Sequence, residues 1–225
     1  MKGSTNTTTD IRYMPSYSVP EAAYYLRIPV STLRAWIGRR HDFAPLIVPA
    51  QEYPLSLSFI NLIEAYVLAS IRRKHEIAMS KVRKGLNFIS SQFSSSHPLA
   101  DKEFETDGID LFLREADVVY NQEGQIVLAE VIKQYMKRIE RDIHGLPIKL
   151  YPFSQRGEPD EPRFISIDPR ISFGRPMLAR KGIPIEILIE RYRAGESIDE
   201  LTNDYDCSQE EIEEALRYQL WNEAA

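Results

Sequence analysis

Ser31, Thr32 and Arg34 fall together in the run Val30-Ser31-Thr32-Leu33-Arg34-Ala35-Trp36, and Arg39, Arg40 and His41 follow directly. Hydroxyls and guanidinium groups at this spacing have the chemistry of nucleic-acid contact. A hydroxyl bonds a phosphate or a base edge, and a guanidinium takes a phosphate or the paired acceptors of guanine. Arg34, Arg39 and Arg40 are therefore expected to hold phosphate or guanine, with Ser31 and Thr32 setting the register. Ser18, further upstream, joins this set of candidate DNA contacts.

Catalytic chemistry is not evident. The chain has no Gly-rich phosphate loop and no G-x-S-x-G elbow. His41, His75, His97 and His144 are widely spaced, and none has a Cys or carboxylate at metal-ligand spacing. A nuclease needs clustered carboxylates around a divalent metal, whereas the acidic residues here fall mostly on expected solvent faces. Cys207 is the lone cysteine, without a His/Asn arrangement to make it a nucleophile. It forms no internal disulfide, which suits a reducing cytosol. The expectation is a protein that is not an enzyme and holds neither cofactor nor metal.

The elements that must position Ser31 to Arg40 can be read from the neighbouring residues. Ser18 is a good N-cap, with Glu21 completing a capping box. Ala22, Ala23 and Leu26 then mark one apolar face. Pro29 forces residue 28 out of the helical region and ends that helix. A second helix begins at or near Ser31, with Val30, Leu33 and Ile37 repeating at three and four and Trp36 beside them. In such a helix-turn-helix the second helix enters the major groove.

Further on, Phe43 to Pro49 and Tyr53 to Leu57 suggest a hairpin, the wing. A long helix follows from about Ser58, with Leu62, Ala65, Tyr66 and Ala69 on one side and Ile63, Val67 and Ile71 widening the face. Arg72-Arg73-Lys74 favour its negative end. A helix over 80–93 carries Val82, Leu86, Ile89 and Phe93, while Lys81, Arg83 and Lys84 face the other way, toward DNA or simply toward water.

Charge divides the chain. Residues 1–93 hold 12 Lys+Arg against 6 Asp+Glu, a net of +6; residues 94–225 hold 16 against 27, a net of −11, giving −5 overall. A basic helix-turn-helix can sit on a phosphate backbone and an acidic one is repelled by it. The front of the chain therefore reads as a DNA reader and the rear as a protein-binding module. Ser90-Ser91 and Ser94-Ser95-Ser96, then Pro98, mark an expected linker. Phe104, Ile109 to Leu113 and Val118 to Tyr120 are strand-like, and a regular helix is expected over 127–143, with Ile143 on its stripe and Gly145 as its stop. Ile148 to Phe153 reads as a strand.

At the acidic end, Phe164 to Ile167 and the runs around Phe173 to Pro184 suggest a small hairpin. Three helices follow. Pro184 opens the first and Gly195 ends it; Ser197 with Glu200, and Ser208 with Glu211, cap the next two. Glu210, Glu211, Glu213 and Glu214 open the third helix, so insertion of that helix into a DNA groove is rejected.

Two resemblances add to this reading. Tyr17 to Trp36, above all Ser31-Thr32-Leu33-Arg34-x-Trp36, resembles the DNA-binding head of MerR-type winged-helix regulators, over about residues 17–90. Those regulators continue into a long coiled coil and an effector site. Nothing after residue 93 sustains heptads, so effector sensing does not carry over. The stretch Ile171 to Met177, Arg180 to Glu186, Ala194 to Leu201 and Glu211 to Leu216 resembles a small bacterial helix-turn-helix domain long filed as a domain of unknown function. Its members look like antitoxins of the VapB class, found beside PIN-domain ribonuclease toxins. This second resemblance covers about residues 164–220, with Ala179-Arg180-Lys181-Gly182 departing in part from the usual Gly-Thr-Arg.

Together these imply a mainly α protein with small β elements (α+β). Its expected parts are a disordered tail (1–15), a winged helix-turn-helix (16–93), a small α+β element (98–153), a linker (154–163) and an acidic helix-turn-helix domain (164–225). The implied function is a cytoplasmic, homodimeric DNA-binding antitoxin that represses its own promoter and neutralises a PIN-type ribonuclease toxin. Arg175, Arg180 or Lys181 would meet the toxin's acidic metal site, or belong to ordinary hairpin surface. The alternatives are a stand-alone dimeric transcription regulator and a metal-dependent nuclease. No membrane segment is expected, because Leu57 to Ile71, the most apolar stretch, is interrupted by Asn61 and Glu64 and falls short of the ~20 residues a bilayer needs.

Overall fold

The structure, a computed structural model, describes residues 10–38, 44–73, 77–116, 122–153 and 161–220, which are mainly α-helical with small β elements. Contacts divide the chain into two compact units, residues 1–148 and 149–225. No described helix is long and apolar enough to cross a membrane.

In the first unit, helices α1 (Val19–Leu26) and α2 (Val30–Ile37) are joined by a tight turn. Strands β1 (Tyr17–Ser18), β2 (Gln51–Glu52) and β3 (Leu55–Leu57) form an antiparallel sheet in the order β1-β3-β2, with Tyr17 opposite Leu57 and Glu52 opposite Leu55. The expected hairpin therefore exists but is shorter than its sequence implied. Residues 44–50 make no strand, because their polar groups are satisfied elsewhere: the N–H groups of Leu46 and Ile47 bond the Trp36 carbonyl, and the Asn61 side chain takes Val48 and Ala50.

Helix α3 (Phe59–Arg73) is the centre of this unit. Phe59, Ile60, Leu62, Ile63, Ala65, Tyr66, Val67, Leu68 and Ile71 are all buried, so the helix is apolar all round rather than along one stripe. Such a helix must be wrapped by others. α1, a 3-10 turn at Ile11–Tyr13 and helix α6 (Gln122–Met136) do so. Helix α4 (Met79–Phe93) packs on α5 (Ile109–Glu115). Gly85 permits that approach, since a Cβ there would stand 2.6 Å from the buried Phe112 ring.

The middle of the chain corrects several expectations. Phe104 and Ile109 to Leu113 are helical, not strand-like: a wide π turn, Phe104–Gly108, leads straight into α5. That turn inserts an extra residue, which blurs the helical period of the buried set Phe104, Ile109, Phe112 and Leu113. The next helix ends at Met136, and the chain turns into β4 (Ile139–Arg141) and β5 (Pro147–Leu150). Gly145, with φ of 81°, shapes the turn between these strands instead of stopping a helix. Asp142 closes the turn by accepting the N–H groups of His144 and Leu146, and Ile143 is left 95% exposed. Val118 to Tyr120 lie outside the described residues. Residues 98–148 belong to the first unit through the α3–α6 and α4–α5 packing.

Order begins earlier than the tail reading implied. Asp10 caps the Ile11–Tyr13 turn, and Arg12 bonds both Asp10 and, at 2.7 Å, Asp142. Residues 1–9 lie outside the described residues.

In the second unit, β6 (Ile165–Ser166), β7 (Met177–Leu178) and β8 (Ile183–Pro184) form an antiparallel sheet in sequence order. Helices α7 (Ile185–Arg193), α8 (Ile198–Tyr205) and α9 (Gln209–Leu220) follow as a three-helix bundle. Leu178, Leu188, Leu201, Ile212 and Tyr218 are its fully buried centre. Gly195, with φ of 104°, takes the left-handed position that ends α7.

Candidate functional site

The candidate DNA-reading residues sit on α2. The helix before it ends because Arg27 turns left-handed, at φ 52°, and the Ile28 N–H bonds the Ala23 carbonyl. Pro29 then stands as the cap of α2, whose first residue, Val30, is one ahead of Ser31. Leu33, Trp36 and Ile37 form the buried face, so the residues at the intervening positions face outward. Ser31 and Arg34 are exposed, and Thr32 and Ala35 half-buried. Among the described residues the Arg34 side chain makes no hydrogen bond or ion pair. Arg39 and Arg40 lie outside the described residues.

Two other helices extend this face. A cleft of about 430 Å³ is lined by Ser31, Thr32 and Trp36 of α2, Arg72 at the end of α3, and Ser80 and Arg83 of α4. Two guanidinium groups and three hydroxyls thus converge where α2 begins. Arg83 is oriented by donating to the Ala44 carbonyl. Ser18 makes the cap expected of it, which takes up the bonding capacity it would offer to DNA: its hydroxyl accepts the Glu21 N–H while Glu21 accepts the Ser18 N–H.

The hairpin beside α2 is held by a buried polar network that the sequence did not reveal. Asn61 accepts the N–H groups of Ala50 and Ser58 and donates to the Val48 carbonyl and to Glu64, 3.1 Å away. Glu64 also meets His97 Nδ1 at 3.1 Å. Burial pushes the Glu64 carboxyl up, and the bonds from His97 and Asn61 offset that only in part. Burial works against the His97 imidazolium as well, but the bond and charge of Glu64 outweigh it and leave His97 above its ordinary value. The only signal was two polar residues, Asn61 and Glu64, inside an apolar helix; their partner His97 is distant in sequence.

In the second unit the candidate cations all have partners. Arg175 pairs with Glu186 at 3.1 Å, and both are exposed. Arg180 forks onto Glu211 at 3.0 and 2.9 Å and also donates to the Asp206 carbonyl. Lys181 meets Asp206 at 2.5 Å. The Arg180 bonds hold the Glu211 carboxyl below its ordinary range, and Lys181 does the same for Asp206. The acidic start of α9 is also less exposed than expected: Glu211 and Glu214 are buried, leaving Glu210 exposed and Glu213 half-buried. Even so, residues 149–225 hold 10 Lys+Arg against 16 Asp+Glu, a net of −6.

Residues 165–219, nearly all of the second unit's sheet and helices, match the family described as "Protein of unknown function (DUF433)". The chain is similar to the Mycobacterium tuberculosis protein named "Putative antitoxin VapB45", at 26% identity over 229 residues that span 90% of this chain and 93% of that protein. It also matches the crystal structure of Rv2018 from Mycobacterium tuberculosis, with a TM-score of 0.69 at 23% identity over 90% of this chain and 98% of that one. The second likeness is one of fold. Both extend across the first unit as well as the second, so the joining of the two is not peculiar to this sequence.

Among the described residues, no group of three or more His, Cys, Asp or Glu converges in a way that would hold a metal ion.

Proposed function

We propose that this chain is a DNA-binding antitoxin. The first unit docks on operator DNA through α2, in the manner of a MerR-type winged helix-turn-helix with β2–β3 as the wing. The second unit binds and blocks a PIN-type ribonuclease. The observation that carries the DNA half is the outward face of α2, where Ser31 and Thr32 line a cleft with Arg72 and Arg83 and Arg34 is exposed. Polar and cationic groups left facing water at the start of a second helix are the contacts such a helix uses. Arg39 and Arg40 extend that set. The toxin half is supported by the name of the full-length relative and by the net −6 of the second unit, which turns it from DNA toward protein.

On this reading two copies bind an inverted repeat in the chain's own promoter, as paired helix-turn-helix units do. Arg175 is the cation best placed to reach the toxin, because its exposed pair with Glu186 is easily given up. Arg180 and Lys181 primarily hold the domain together. The test is a gel shift on the fragment upstream of the coding sequence, together with co-purification of a PIN-domain ribonuclease expressed with the chain. Shifted DNA and a bound, silenced ribonuclease are expected. DNA binding with no ribonuclease bound establishes the stand-alone regulator instead, which the same α2 face equally supports. Metal-dependent RNA cleavage by the purified chain overturns the reading in favour of a nuclease.

A further inference from the structure

Phe173 is 88% exposed, and it stands on backbone that a phenylalanine does not choose. Ser172, Phe173 and Gly174 are consecutively left-handed, with φ of 49°, 56° and 72°. Of these only the glycine is free of a Cβ penalty there. The loop is nonetheless pinned. Gly174 N–H bonds the Ile171 carbonyl at 2.9 Å, and Arg175 N–H the Ser172 carbonyl at 3.1 Å. Asp168, itself buried, takes three bonds from Arg170 at 2.7 to 2.9 Å. A costly conformation that costs more by exposing a large apolar ring persists only where the surroundings impose it, and such places concentrate at contact sites.

The loop is continuous with a helix face. The bond from Ile185 N–H to the Pro176 carbonyl ties it to the first turn of α7, and Arg175 and Glu186 pair across the join on the surface. There Ile187 is 42% exposed, and Ile171 on the loop is 45% exposed. Glu186 and Glu190, one turn apart, border the same face. The patch is thus an aromatic prong with two exposed aliphatic side chains on the adjoining loop and helix, and Glu190 exposed beyond the Arg175–Glu186 pair, on a unit of net −6.

We infer that the Phe173 loop and the start of α7 are the docking surface for a cationic protein partner, the ribonuclease of the proposed function, with Phe173 as its anchor. This rests on the antitoxin reading and says which surface performs it. Charge selects the occupant. A ribonuclease must line the path of its RNA with positive charge, and the net −6 of this unit complements it. A second copy of this unit would set one net −6 surface against another, and DNA is repelled for the same reason. Aromatic residues at the desolvated centre of an interface, with a polar rim, are the usual distribution of binding energy.

The experiment measures binding of the full chain to the PIN-domain ribonuclease used in the co-purification test, for wild type, Phe173→Ser and Phe173→Gly. Glycine suits the left-handed backbone, so that variant removes the ring with the fold intact, as its melting temperature will show. Both variants should bind at least about tenfold more weakly, and wild-type binding should fall as salt is raised. Variants that bind like wild type overturn this inference and leave the antitoxin reading standing. A wild-type chain that binds no ribonuclease overturns both. Loss of self-association instead of ribonuclease binding in Phe173→Gly shows that a second copy covers the patch, and also overturns it.

Discussion

Arg180 and Glu211 join the turn before the three-helix bundle to the start of its last helix. The guanidinium forks onto both carboxylate oxygens at 3.0 and 2.9 Å, while Glu211 also accepts the Ser208 N–H at 2.8 Å as the far half of a capping box. One buried carboxylate therefore caps α9 and anchors the β7–β8 turn. This explains why a cation that a sequence reading assigns to a partner has its first use inside the domain. Losing Arg180 leaves Glu211 buried with only its cap donors, and losing Glu211 removes the cap as well.

Arg180→Ala should lower the thermal midpoint of the second unit, and Glu211→Ala should lower it further. The Glu211 carboxyl titrates below its ordinary 4.5 in the folded chain. Its contribution is therefore fully present above that value and is lost as pH falls through the folded one. Calorimetry between pH 6 and pH 3 checks this: the gap between wild type and Glu211→Ala should close toward the acid end. A constant gap would mean that the fork adds nothing to stability.

The first unit should show the opposite slope near neutrality. Glu64 and His97 both titrate above their ordinary 4.5 and 6.5 when folded, with Asp101 adding its negative charge near His97. A raised folded value means that the native state holds the proton more tightly. Stability from this pair is thus present at acid pH and is lost as pH rises through and beyond the ordinary histidine range. His97→Gln should flatten that loss in urea unfolding between pH 5 and pH 8. A wild-type midpoint that rises over this range would contradict the assignment.

Gly85→Ala tests the α4–α5 contact. The added Cβ would fall 2.6 and 2.7 Å from two ring carbons of Phe112, which is fully buried and cannot swing away. Overpacking of this kind costs about 1–3 kcal/mol, even though alanine is the better helix former. Denaturant titration should show a lower midpoint; an unchanged or raised one would mean that the two helices can separate at little cost.

Local signals were legible and distant ones were not. Ser18 with Glu21, Ser197 with Glu200 and Ser208 with Glu211 form their reciprocal bonds as the spacing foretold, because a cap involves residues three apart. The outward face of α2 followed from its period for the same reason. The cleft did not, since Arg72 and Arg83 come from helices whose crossing no local pattern encodes. The π turn at Phe104–Gly108 broke the period that would have marked α5, and the Asp142 turn cut short a helix whose apolar spacing ran on to Ile143. Glu64 looked like an interruption of an apolar run because its partner, His97, lies in another part of the chain.

The DNA-docking proposal makes Arg34 and Ser18 separable. Arg34 faces solvent without a protein partner among the described residues, so Arg34→Ala should leave stability unchanged and weaken operator binding. If it holds phosphate, affinity falls evenly across sequences and the slope of log affinity against log salt drops by about one. If it holds guanine, about 1–3 kcal/mol of discrimination at one base pair is lost instead. Ser18 is engaged in its own cap, so Ser18→Ala should cost about 1 kcal/mol of stability and should affect DNA binding only as far as α1 frays. Gel shifts over a salt series, with melting curves for the same proteins, distinguish these outcomes. An Arg34→Ala chain that binds the operator with wild-type affinity and salt slope would remove α2 from the interface.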